Sequence, residues 1–182
     1  MSIISQTQKK EKQPLIQLII QQRFTQARLF LNPLNTLIQS GFSACKKPKT
    51  ALGEAMSFLI RNAMVGEYPD IHVDPALAKL SQGSLSSQSI DTIHRDKDTV
   101  TLTWIFAPSR INDIKWDDEL ILCAYDVENS NAAINEDKVL RQDEKMELAL
   151  PSILHGRPVH LYLVVHDRDK KSFSRSQYLG FY

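Results

Sequence analysis

Five histidines, a run of carboxylates, two cysteines and a basic leading stretch are the parts of this chain whose residue types could do chemistry. Metal sites draw their ligands from short helical or hairpin spacings, with carboxylates or thiolates close by. His72, His94, His155, His160 and His166 lack such spacing. His160 and His166 share a strand parity, and so a face, but stand roughly 20 Å apart at ordinary strand rise. His166-Asp167-Arg168-Asp169 reads as a solvated turn. Asp113, Asp117, Asp118 and Glu119 suggest a paired-acid or calcium site, yet they lack the Asp-x-Asp-x-Asp-Gly order of a calcium loop. They read as a solvated loop. No Gly-x-Ser-x-Gly elbow sharpens any serine, and the six glycines are too dispersed to cradle a phosphate. An enzyme would have to use a cleft among His155, His160 and loops at one end of the fold. The expectation is therefore no catalytic residue, no metal and no cofactor.

Cys123 lies inside the apolar run ELILCAYDV and reads as a buried small hydrophobe, whereas Cys45 reads as an exposed thiol in a lysine-rich turn. A disulfide between them would need their Cα atoms within about 7 Å.

The net charge of +1 hides an asymmetry. Residues up to Lys49 carry eight basic side chains against Glu11 alone, a balance of +7, and the remainder carries −6. Lys9, Lys10 and Lys12, with Lys46, Lys47 and Lys49 in a loop, are candidate contacts for nucleic-acid phosphates. No aromatic residues interleave with them to stack bases. A basic arm on an acidic body suggests an electrostatic partner or the two parts of the protein meeting each other, and the lysine loop also suits the Asp113–Glu119 segment of a neighbouring subunit.

The elements that must position these groups follow from periodicity. Residues 1–13 read as a flexible tail. Ile16, Ile19, Ile20, Phe24, Ala27, Phe30 and Leu31 recur at three- and four-residue spacing behind Pro14, which marks an amphipathic helix. Asn32-Pro33 interrupts it, Leu34, Leu37 and Ile38 continue it, and Gly41 stops it. Thr50 caps a second helix running to about Met64. Residues 14–66 thus form a helical hairpin, and 67–89 an extended link with an edge strand at YPDIHVDP. In TVTLTWIFA, Val100, Leu102, Trp104 and Phe106 alternate with Thr101 and Thr103, the pattern of a half-buried strand whose Trp anchors a core. Later strand signals recur at roughly ten-residue spacing over residues 90–182. The fold class is α+β: an N-terminal helical hairpin followed by an antiparallel immunoglobulin- or fibronectin-type β-sandwich.

PLNTLIQSGF, the stretch from KKPKTALGEAMSF through GEYPDIHVDP to SQGSL, VTLTW and the terminal SQYLGFY resemble a family of uncharacterised proteins from Bacteroidota. Its members carry a Phe-Leu-x-Pro-Leu helix, a Gly-Phe stop, a Gly-x-Tyr-Pro-Asp segment and a Ser-x-Gly-x-Leu before a sandwich domain. The resemblance spans about residues 23–182. The family's Gly-rich, then Thr- and Arg-rich opening has only MSIISQTQKKEKQ in its place. It implies the helix-plus-sandwich layout and brings no catalytic residue with it.

No stretch approaches the run of about 20 apolar residues that crosses a bilayer, and no apolar region follows the N-terminal charges as in a signal peptide. A cytoplasmic location is expected. The helix pair carries more apolar stripe than a hairpin needs, so the expected function is non-enzymatic assembly or protein binding, by a protein partner or self-association. Phe24, Phe30, Leu31 and Tyr68 are its candidate interface residues, with intramolecular core the equal alternative for all four. The alternative is nucleic-acid association through the basic N-terminal region.

Overall fold

The structure, a computed structural model, describes residues 14–43, 50–109 and 114–182. Helix α1 (Leu15–Leu31) begins behind Pro14, passes through a single 3-10 turn at Asn32–Leu34, and continues as α2 (Asn35–Gly41). Thr50 caps α3 (Ala51–Asn62) by accepting a 3.1 Å hydrogen bond from the Gly53 amide. This helix stops short of Met64. Met64–Val65 (β1) leaves it to pair antiparallel with His72–Val73 (β2), and Gly66 makes the turn at φ +80°. The edge strand expected at residues 68–75 is thereby half of a two-stranded ribbon.

Eight further strands follow: β3 (Thr92–Arg95), β4 (Thr99–Thr103), β5 (Glu119–Asp126), β6 (Asn131–Ile134), β7 (Val139–Leu140), β8 (Lys145–Ala149), β9 (His160–His166) and β10 (Gln177–Phe181). They build two antiparallel sheets. One runs β3-β4-β8; the other runs β10-β9-β5-β6, with β7 also pairing on β5. Asn135 ends β6 by substituting its side chain for a further ladder rung. Its Oδ1 accepts from the Leu122 amide at 2.7 Å and its Nδ2 donates to the Leu120 carbonyl at 3.2 Å.

Two apolar cores flank the five-stranded sheet. Val100, Leu102 and Trp104 from one sheet meet Leu120, Leu122, Leu161, Leu163 and Val165 from the other, which makes the sandwich. On the far face, Cys123, Tyr125, Tyr162 and Val164 pack against Phe30, Leu31, Leu34, Ile38, Ala55 and Leu59 of the helices. The helical hairpin is therefore not an appendage to a finished sandwich. It is the third layer of one fold, because the odd-numbered side chains of β5 would otherwise stand in water.

The 67–89 link is fastened rather than loose. Ser81 donates to the Ser174 carbonyl at 2.9 Å, Leu80 N–H donates to Ser176 Oγ at 2.8 Å, and Leu85 N–H donates to the Phe173 carbonyl at 3.1 Å. Gly83 lies so close that a Cβ there would fall 1.9 Å from the Phe173 carbonyl oxygen. Polar as it is, the SQGSL stretch forms a seam. Gly83→Ala is expected to lower unfolding stability by about 1–3 kcal/mol, as overpacking does, and urea denaturation followed by tryptophan fluorescence checks it.

Candidate interaction site

The structure separates the four candidate interface residues. Phe30 and Leu31 are core: Phe30 meets Tyr125 edge-on at 5.1 Å between ring centroids, and its carbonyl accepts from the Tyr125 hydroxyl at 3.0 Å. They are corrected as interface residues, since the five-stranded sheet already covers them. Phe24 and Tyr68 are exposed. Lys46, Lys47, Lys49, Lys9, Lys10, Lys12, Cys45 and Asp113 lie outside the described residues.

Two groups of charged residues differ from expectation. His166 is the buried last residue of β9, 3.7 Å from Glu119, and the turn begins only at Asp167. Asp118 is 1% exposed rather than solvated, and it faces the fully buried Arg141 at 2.9 Å. Arg141 also donates to Gln88 Oε1 at 3.0 Å, to the Ser87 carbonyl at 3.2 Å and to the Ser86 carbonyl. Its own carbonyl accepts the Trp104 indole N–H at 2.7 Å. Burial pulls the guanidinium's pKa down and Asp118 pulls it back up. Every nitrogen of the guanidinium is engaged inside the fold, so the pair is structural. Nothing in RQDEK distinguishes Arg141 by sequence from the exposed basic residues.

His160 and His155 each bond within the fold. His160 shares a 2.9 Å hydrogen bond with the Tyr178 hydroxyl and stacks near Phe181, and burial lowers its pKa. His155 Nε2 lies 2.8 Å from the Leu150 carbonyl. Among the described residues no group of three or more His, Cys, Asp or Glu could hold a metal ion, and no helix is long and apolar enough to cross a membrane.

What remains unfilled is a surface. Ile16, Ile20, Phe24, Ala27, Leu31 and Leu34 follow one stripe at four- and three-residue spacing. Its second half is buried at 0%. Its first half is not: Ile16 is 71%, Ile20 48% and Phe24 51% exposed, and Leu15 beside them is exposed too. Gln26, Leu29 and Phe30 line a small cavity with Val127, Glu128 and Ser130 of the β5–β6 turn, so the helix has already reached the rim of the body there. In its first turns the Ile16–Ile20–Phe24 face is exposed while Leu18, Ile19 and Gln22 stay half-buried. The side-chain amide of Gln22 reaches the Pro69 carbonyl and holds the Tyr68 loop against this part of the helix. Ile105 and Trp116 are exposed elsewhere, in the β4–β5 connection.

A second concavity lies on the open side of the sandwich. A groove of about 780 Å³ runs between the edges of β6 and β8, lined by Ala132, Ile134, Leu148, Glu136, Asp137 and Glu147 among others.

A model of a family of unknown function, DUF6266, matches residues 5–180. The chain belongs to this family. No curated protein matches it. In this DUF6266 member the stretches of Phe30–Leu34, Gly41-Phe42 and Ser81–Leu85 are fastenings between the helix layer, the link and the sheets.

Removing one partner of a buried ion pair leaves the other uncompensated, at a cost of about 3–5 kcal/mol. Asp118→Asn and Arg141→Met are each expected to destabilise by that order, and the double variant by less than the two together. A double-mutant cycle in urea measures it. Burial also pushes the Cys123 thiol from an ordinary 9.0 up to about 12. The folded pKa lies above the unfolded one, so stability is intact below pH 9 and falls as pH rises beyond it. In a Cys45→Ser background, thiol reagents at pH 8 are expected to label Cys123 only after unfolding.

Proposed function

We propose that this protein is a non-enzymatic protein-binding module whose contact surface is the exposed face of the first half of α1. The observation that carries this is the apolar stripe of Ile16, Ile20 and Phe24, which continues a buried stripe but has no covering layer among the described residues. Leaving such residues in water forgoes about 1.5–3 kcal/mol per large side chain, and contiguous exposed apolar surface marks a contact site. The helix has no acidic residue, and Arg23 and Arg28 flank the stripe, so the partner surface that suits it is apolar with a negative rim. The strand order, β3-β4-β8 facing β10-β9-β5-β6, supports the fibronectin-type reading of the sandwich, an architecture that hosts many unrelated roles.

A photo-crosslinking amino acid at position 20, introduced in cells, is expected to capture one discrete protein adduct. Phe24→Glu in the same chain is expected to abolish it, while urea stability changes by no more than about 0.5 kcal/mol, as at other exposed sites. If the adduct is missing, or survives the charge at position 24, the reading fails.

A further inference from the structure

We infer that the groove between β6 and β8 is the docking site for the basic N-terminal segment of a second copy of this chain, an inference that rests on the protein-binding reading above and names its partner. Three observations converge on it.

The first is the edge itself. Among the described residues β6 pairs only with β5, and β8 only with β4, so both strands present an unpartnered edge to the groove. Edges left free in monomers are guarded by lysine, proline or a bulge. Strand β8 has such a guard, with Lys145 bound to Glu147 at 2.7 Å. Strand β6, Asn131-Ala132-Ala133-Ile134, has none. An extended segment laid along β6 would gain main-chain hydrogen bonds as strand-addition ligands do.

The second is charge. The groove is lined by Glu136, Asp137 and Glu147 and by no lysine or arginine. Two of the acids first expected to meet the basic loop are already engaged: Asp118 by Arg141, and Glu119 by Lys138 at 2.6 Å. Glu136 and Asp137 are exposed, and their carboxylates have no partner among the described residues. Lys9, Lys10 and Lys12 supply the opposite sign, against Glu11 alone. Opposed patches of this kind set register and orientation more than raw affinity.

The third is reach. Asn32–Leu34 packs on β6, while the preceding part of α1 runs past the β5–β6 turn, away from Glu136 and Asp137. The 17 residues of α1 span about 25 Å. Lys9 is five residues before Pro14, which allows at most about 18 Å of chain. The start of α1 thus lies on the far side of the β5–β6 turn from that chain's own groove, which leaves the groove open to a neighbour's lysines. Exchange of arms in both directions closes a two-fold dimer, and it brings the exposed first turns of α1 to the partner as well.

The test uses the purified full chain in light scattering and sedimentation. Wild type is expected to be a dimer at tens of micromolar, with a dissociation constant that rises with salt. Glu136→Lys with Asp137→Lys, and separately Lys9→Glu with Lys10→Glu and Lys12→Glu, are each expected to weaken the dimer at least tenfold. Mixing the two variants restores it, because each reversed element then meets its complement. A monomeric wild type, dimers indifferent to both charge reversals, or variants that mixing does not rescue would each overturn the inference. If the wild type is monomeric while the probe at position 20 still captures another protein, only the self-docking falls and the protein-binding reading stands.

Discussion

Strands β5 and β9 are covered on both faces, and this constraint governs the rest of the fold. Along β5, Leu120, Leu122 and Ala124 point into the sandwich while Cys123 and Tyr125 point at the helices; along β9, Leu161, Leu163 and Val165 alternate with Tyr162 and Val164 in the same way. A strand in that position has no face left for charge. Its charged residues are accordingly pushed to the ends, where Glu119 meets Lys138 and Asp126 caps the Asn129 amide at 3.1 Å. The same constraint makes the helices obligatory, since without them Tyr125 and Tyr162 would lose their cover and their hydroxyls the carbonyls of Phe30 and Pro75.

The second fixed point is Arg141. A lysine would satisfy one or two of the groups around it; the planar guanidinium fork reaches Asp118, Gln88 and two link carbonyls at once. Buried ion pairs contribute little net stability against an apolar alternative, because desolvation offsets the attraction. What this one supplies is position. The link has no periodicity to guide it, and carbonyls of Ser86 and Ser87 bonded to a residue 54 and 55 positions away in sequence leave it one path across the end of the sandwich.

Much of this was readable from the chain, and the part that was not has a physical cause. Alternation through Val100 and Leu102, the Asn32-Pro33 interruption and the Thr50 cap each report a local energy and fell where periodicity and capping placed them, although the strand stops at Thr103, just before the buried Trp104. The three-layer arrangement was also written in ELILCAYDV and VHLYLVVH, whose unbroken apolar runs mark strands buried on both faces. Read as ordinary sandwich strands, they leave the hairpin with more apolar stripe than it needs and Phe30 and Leu31 as interface candidates. Asp118 and Arg141 carry no local signal. Their burial depends on a contact between residues 23 apart, and a carboxylate run looks the same whether one member is solvated or caged.

The two open sides of the sandwich are treated differently, and that difference bears on function. On the β10 side the link closes the gap: Leu85 bridges Ser174, and Leu85 and Ile90 pack into the inter-sheet core. On the β6 side no described segment does so, although the strand Asn131–Ile134 presents a free edge open to pairing. The exposed first turns of α1 lie past the hairpin that carries this strand. A fold that encloses Arg141 so fully, yet leaves an apolar helix end and a bare strand edge on either side of one hairpin, concentrates two of its unmet interactions there, apart from the exposed Ile105 and Trp116. Stability of the lone body gives no reason for that concentration, since each feature costs apolar burial or hydrogen bonding. A contact with another polypeptide satisfies both features in one step.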